Sequence, residues 1–222
     1  MKVIIFGATG MVGQGALREC LLDPTVEQVL TVGRTALENK NPKIKELIHS
    51  DLWNYQSIEK ELTGYDACFF CLGTTSSGKT EAEYSHITYD LAFAAASTLS
   101  RLNPQMTFVY VSGVGADPSE SGRVMWARVR GRLENALLKL PFKGVYILRP
   151  GIIVPMHGIK SKTDSYRWLY NVTAPFLTLL RLAMPGAISS TEVIGRAMLS
   201  LAKKGAKKKV LESRDFLYPN ER

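Results

Sequence analysis

The chain has 222 residues, 45% of them hydrophobic and 22% charged, with 18 glycines and 10 prolines. This is close to the globular average and excludes disorder, collagen-like repeats and a coiled coil. The length lets one domain bury most of the surface that the unfolded chain exposes. The net charge of +8 concentrates at Arg123, Arg128, Arg130 and Arg132 and again over residues 203–222. It reads as two solvated basic faces or as attraction for a phosphate-bearing ligand or, at Lys203-Lys204 and Lys207-Lys208-Lys209, for nucleic acid or anionic lipid. Without interleaved aromatics or a nucleic-acid fold it argues against nucleic acid.

Three cysteines, Cys20, Cys68 and Cys71, suit a reduced compartment better than a disulfide framework. Cys68 and Cys71 have a C-x-x-C spacing, but in a strand positions three apart point to opposite faces, so neither redox nor metal chemistry is expected. Met1 and Lys2 lead directly into an apolar run with no n-region or cleavage site, so no secretory signal is expected and the expected location is cytoplasmic. The apolar stretch 168–180 is shorter than the ~20 residues a bilayer needs, so no integral membrane span is expected.

In chain order, apolar runs at 3–6, 28–32, 46–49, 67–72, 107–112 and 145–148 read as strands buried on both faces. Helical patterns fall between them, at 11–22, near 55–62, at 80–101 and at 122–140, with another at 191–203. This alternation predicts an α/β, Rossmann-type doubly wound parallel sheet with helices on both faces. The 80–101 helix opens with Thr80-Glu81-Ala82-Glu83, a capping-box spacing, and its stripe of Tyr84, Ile87, Leu91, Ala94, Ala95 and Leu99 suits a core or a homodimer interface. The expectation is a single NAD(P)-binding domain over 1–222, with a core over about 1–155 and substrate-cap elements over about 156–222. Within the latter, 166–184 reads as an apolar cap over the substrate, with peripheral membrane contact as the other reading.

Gly7-Ala8-Thr9-Gly10-Met11-Val12-Gly13 is a G-x-x-G-x-x-G turn directly after a buried strand and directly before a helix. Glycine permits the tight turn and close backbone approach, and the helix start offers free amides and a positive dipole end to a pyrophosphate. Gly7, Thr9, Gly10, Met11, Val12 and Gly13 are therefore candidate cofactor-binding residues. A carboxylate at the end of the second strand would select NAD; this chain has Gly33-Arg34 there, which favours NADP over NAD, the other reading of Arg34 being an ordinary solvated arginine.

These motifs, with Asp51-Leu52, Cys71-Leu72-Gly73-Thr74-Thr75, Ser112-Gly113-Val114-Gly115-Ala116-Asp117 and Arg149-Pro150-Gly151, resemble atypical short-chain dehydrogenases/reductases. The likeness is strongest to the Tat-interacting-protein-like oxidoreductase branch, over residues 1 to about 155. The resemblance implies that Asp51 and Leu52 flank the adenine, that Leu72, Gly73 and Thr74 run along the ribose and phosphates, and that Ser112 faces nicotinamide and substrate. Asp51 would equally cap the following short helix, and Ser112 a strand end.

Such enzymes work through a Tyr and a Lys four residues later, and here those positions hold Trp126 and Arg130. An indole has no acid-base equilibrium near neutrality, whereas Arg130 retains charge and donors for ribose or phosphate. His157, in the loop after Arg149-Pro150-Gly151, and His86 are the titratable substitutes, with Ser112 and His157 as catalytic candidates. Two functions follow: an NADP(H)-dependent oxidoreductase on a small, unidentified carbonyl or alcohol, or a catalytically inactive NADP-binding regulatory or scaffold protein.

Overall fold

The computed structural model describes residues 1–37, 39–159, 188–217 and 219. Seven strands form one parallel sheet in the order β3-β2-β1-β4-β5-β6-β9. They are β1 (Lys2–Phe6), β2 (Gln28–Gly33), β3 (Ile44–Ile48), β4 (Ala67–Phe70), β5 (Thr107–Val111), β6 (Gly144–Arg149) and β9 (Val210–Glu212). A separate parallel pair joins β7 (Ile152–Val154) to β8 (Ile188–Ser190). The strand order reverses between β1 and β4, and such a switch point is where open α/β sheets bind ligands.

The period-two alternation of the strands builds two cores. Ile4, Phe6, Cys68, Phe70, Phe108, Tyr110 and Ile147 face one side of the sheet, under α3 (Leu91–Leu102) and α4 (Met125–Leu138). Val3, Ile5, Phe69, Val109 and Leu148 face the other, under α1 (Met11–Leu22) and α5 (Thr191–Lys204). Cys68 lies in the first core and Cys71 packs against the second, so the C-x-x-C pair straddles the sheet. Burial pushes the Cys71 thiol up to about 12, which leaves it protonated and unreactive at neutral pH.

Three departures from the sequence reading have physical causes. The helix expected near 55–62 is a single 3-10 turn at Gln56–Ile58; Tyr55 and Leu62 are both buried there, and so short a segment cannot nucleate a stable helix by itself. The helix expected at 80–101 is not continuous α-helix, because α2 (Glu81–Ser85) passes through a π turn at His86–Asp90 before α3. The capping box at its start is formed by Thr80 and Glu83. Residues 188–212, expected among the cap elements, enter the core: α5 buries Ile194, Met198 and Leu201 in the second cluster, and β9 pairs with β6. The 166–184 segment lies outside the described residues. No helix among the described residues is long and apolar enough to cross a membrane.

Candidate functional site

The glycine turn brings three elements together at the switch point. Gly7 has φ +78°, and a Cβ built there would lie 2.9 Å from the backbone of Cys71 and Leu72 at the end of β4. A Cβ on Gly13 would come 2.0 Å from the Gly7 carbonyl oxygen. The Gly10 amide donates back to the Gly7 carbonyl at 2.9 Å, and the Gln14 amide to the Gly10 carbonyl at 2.8 Å. Gly10 caps α1 with no side chain, so the amides of Met11, Val12 and Gly13 lie ahead of the first intrahelical bond and have no partner within the helix. Thr9 adds a half-buried hydroxyl, and its carbonyl accepts from the Gln14 side chain at 3.0 Å.

Arg34 follows β2, exposed, with no hydrogen bond or ion pair among the described residues. Asp51 follows β3 and uses a carboxylate oxygen to accept the Trp53 amide at 3.0 Å. Leu52 is not free to line a pocket with its whole side chain, because it is buried in the first core. Trp53 stacks on His86, with ring centroids 4.9 Å apart, and its indole N–H donates to the His86 carbonyl at 3.1 Å. The loop after β3 is thereby tied to the π turn, and His86 pairs with Asp90 at 3.0 Å. Leu72, Gly73 and Thr74 leave β4 on the opposite side of the glycine turn from β2.

The carboxyl end of β5 carries a polar network that sequence reasoning did not find. Ser112, only 5% exposed, donates to Glu134 of α4 at 2.5 Å, and Arg149 at the end of β6 donates from Nε to both Glu134 oxygens at 3.1 Å. One turn before Glu134, Arg130 donates from Nε to the Tyr84 hydroxyl at 3.0 Å. A Cβ on Gly113 would lie 2.9 Å from an Arg130 terminal nitrogen, so the guanidinium reaches the end of β5. Burial works against its charge, but the Tyr110 and Tyr84 phenols and Glu134 outweigh that and hold its pKa above the usual value.

The basic cluster of α4 is largely spent within the fold. Arg128 pairs with Glu81, Arg130 with Tyr84, and Arg132 with Ser85, three rungs that bind α4 to α2. The C-terminal lysines are partly spent too: Lys203 pairs with Asp23, Lys208 with Asp215, and Lys209 sits 4.5 Å from the centre of the Tyr146 ring.

His157 lies elsewhere. With φ +58°, it bonds through Nε2 to Glu192 at 2.7 Å. It lines a cleft of about 680 Å³ together with Ala8, Thr9, Gln14, Arg18 and Thr35. This puts it beside α1 and the loop after β2, whereas Ser112 and the Arg130 guanidinium lie at the end of β5. Among the described residues no cluster of His, Cys, Asp or Glu could hold a metal ion.

No family model matches the chain. Among solved structures it superposes on a short-chain dehydrogenase/reductase family oxidoreductase from Burkholderia thailandensis, with a TM-score of 0.67 and 15% identity over 99% of this chain and 93% of that one. It also superposes on WbmF from Bordetella bronchiseptica in complex with NAD+ and UDP, with a TM-score of 0.67 and 17% identity over 96% and 72%. The parallel sheet with its glycine turn is thus a Rossmann-type α/β fold, shared with these solved structures.

The relatives narrow this further. FMP52-1 of Scheffersomyces stipitis is 31% identical over 69% of this chain and 68% of its own length. FMP52-2 of the same yeast is 33% identical over 68% and 65%, so the alignment spans just under two thirds of that relative. FMP52 of Eremothecium gossypii is 27% identical over 98% and 96%. The chain belongs to the FMP52 family. All three relatives are named mitochondrial, and this overturns the cytoplasmic expectation.

Proposed function

We propose that the chain is an NADP(H)-binding oxidoreductase acting on a small carbonyl or alcohol. The observation that carries this reading is the glycine turn, where a Cβ at Gly7 would strike the backbone of Cys71 and Leu72 and one at Gly13 the Gly7 carbonyl, so that only glycine lets the turn pack this closely at the start of α1, whose first amides have no partner within the helix. The residues fit a nicotinamide dinucleotide. Its pyrophosphate would rest on the amides of Met11, Val12 and Gly13, with Gly10 and Thr9 beside it. Its adenosine would lie toward Arg34, Asp51 and Leu52, and its ribose and nicotinamide would run past Leu72, Gly73 and Thr74 toward Arg130 and Ser112. Bound there, the cofactor supplies hydride transfer.

The side chains would do the positioning. Ser112 donates its hydrogen bond to Glu134, which leaves its oxygen lone pairs free to accept, while Arg130 would offer guanidinium donors to ribose oxygens. WbmF and the dTDP-glucose 4,6-dehydratase DesIV, both solved with NAD bound, share the fold and support a nicotinamide dinucleotide. The exposed, unpaired Arg34 supports NADP over NAD, because a guanidinium fork attracts a phosphate where a carboxylate would repel it. Calorimetric titration with NADPH and NADH tests this: NADPH should bind more tightly, and Arg34→Ala should remove about tenfold of that preference. Equal affinities, or a preference unchanged by Arg34→Ala, reject NADP selectivity.

Trp126 in the usual place of the tyrosine favours a second reading, a protein that binds NADP without catalysis. The mitochondrial names of its relatives support a mitochondrial location, which cell fractionation checks.

A further inference from the structure

We propose that Tyr84 is the proton donor of this site, so that the phenol and cation of carbonyl reduction come from two helices, the phenol from α2 and the cation Arg130 from α4. The inference rests on the oxidoreductase reading above. Tyr84 Oη accepts from Arg130 Nε at 3.0 Å, and the same guanidinium touches Gly113, next to Ser112. The ring is 1% exposed yet belongs to neither apolar core; it lies between α2 and α4.

Two hydrogen-bonding functions here are unspent. Having accepted from Arg130, the Tyr84 hydroxyl still has its own proton to give, and no acceptor for it exists among the described residues. Four residues on, in the π turn, Thr88 Oγ1 is buried and has no partner among the described residues. Buried hydroxyls are nearly always satisfied. One idle hydroxyl bonded to a buried guanidinium, with a second one turn further along a bulged helix, points to a place for a ligand oxygen, and π bulges concentrate at functional sites.

The chemistry balances with reduced nicotinamide dinucleotide as reductant. The C–H bond of the dihydronicotinamide breaks, the dinucleotide is oxidised by two electrons, and its hydride forms a C–H bond at the carbonyl carbon as the π pair moves to oxygen. That oxygen takes the Tyr84 proton, so an O–H bond forms as the phenolic O–H breaks. The phenolate faces the Arg130 guanidinium, which stabilises it until solvent returns the proton. Trp126, at the usual position of the phenol, has no proton to give in this range.

A merely structural Tyr84 would clamp Arg130 and do nothing more. The test uses the full chain with NADPH and 4-nitrobenzaldehyde, whose reduction creates a basic alkoxide that needs a proton. Tyr84→Phe should lower kcat by about 100-fold or more while the NADPH dissociation constant stays within about threefold. A Tyr84→Phe rate equal to the wild type, or NADPH-loaded wild type that does not reduce the aldehyde, overturns the proposal. Wild type that fails to bind NADPH overturns the oxidoreductase reading itself, and the inference with it.

A second readout needs no turnover. In protein labelled with [ζ-13C]tyrosine, the resonance missing from Tyr84→Phe should move when NADP+ and 4-nitrobenzyl alcohol are added together; a fixed resonance refutes a role in contact with the ligands. Should Tyr84→Phe not fold, Arg130→Gln replaces it: a lower kcat supports the pair, and an unchanged kcat rejects it.

Discussion

Arg149 grips Glu134 with Nε 3.1 Å from each carboxylate oxygen, at a site where Glu134 is only 1% exposed. The pair ties the end of β6 to α4, and through Glu134 it fixes Ser112. Removing one member leaves the other charge buried without compensation, which costs about 3–5 kcal/mol, whereas replacing both by apolar groups is far cheaper. Arg149→Met should therefore destabilise the protein by about that amount in urea denaturation, and Arg149→Met with Glu134→Leu should recover much of the loss. A double variant as unstable as Arg149→Met alone would show that the stranded charge is not the cause.

Gly13→Ala tests the cofactor turn. The new methyl would meet the Gly7 carbonyl at 2.0 Å, and backbone cannot move aside as the end of a side chain can. Either α1 withdraws from the turn or the turn opens. The variant should lose stability by about 1–3 kcal/mol or more, as overpacked sites do, and NADPH affinity should fall with it. Urea denaturation and calorimetry read the two effects separately; full stability with full affinity would mean that the close approach of helix and turn is dispensable.

Asp23, at the end of α1, pairs with Lys203 near the end of α5. Burial works against its charge, but the hydrogen bonds from Lys203 and Thr25 prevail and hold its pKa at about 2. The folded value lies below that of an unfolded aspartate, about 3.9. The contribution to stability is therefore complete above pH 4 and is lost as the pH falls toward about 2. Lys203→Met should flatten the acid-side slope of stability against pH over that window, and an unaltered slope would assign it to other carboxylates.

Most of the fold was legible because buried parallel strands read as unbroken apolar runs: β1, β2, β4, β5 and β6 fall where those runs lie. The edges were harder. β3 is half exposed and its first residues, Ile44 and Lys45, carry no apolar continuity. β9 is three residues inside a lysine-rich stretch and, among the described residues, pairs only with β6. In the site, the glycine turn was visible because its residue type and its position agree. Glu134 was not, since its burial depends on Arg149 fifteen residues away. Tyr84 matched the apolar stripe of its helix, and a period of 3.6 cannot separate a ring that fills the core from one whose oxygen meets a guanidinium.

Trp126 is the residue whose role the geometry redefines. A Cβ on Gly115, which has φ +87°, would lie 3.2 Å from the edge of the indole ring, so the ring lies against the backbone just beyond Ser112. The indole N–H donates but does not titrate near neutrality. With the proton coming from Tyr84, the ring serves as apolar cover over the loop that carries Ser112, and cover depends on size rather than on the N–H. Trp126→Phe should therefore keep any carbonyl reduction within a few-fold of the wild type, while Trp126→Ala, which uncovers the loop, should lose about tenfold or more through admitted water and a loosened Ser112. Steady-state rates with NADPH and 4-nitrobenzaldehyde make the comparison. A Trp126→Phe rate as low as that of Trp126→Ala would give the indole N–H a direct part in holding the substrate oxygen, beside Tyr84 rather than behind it.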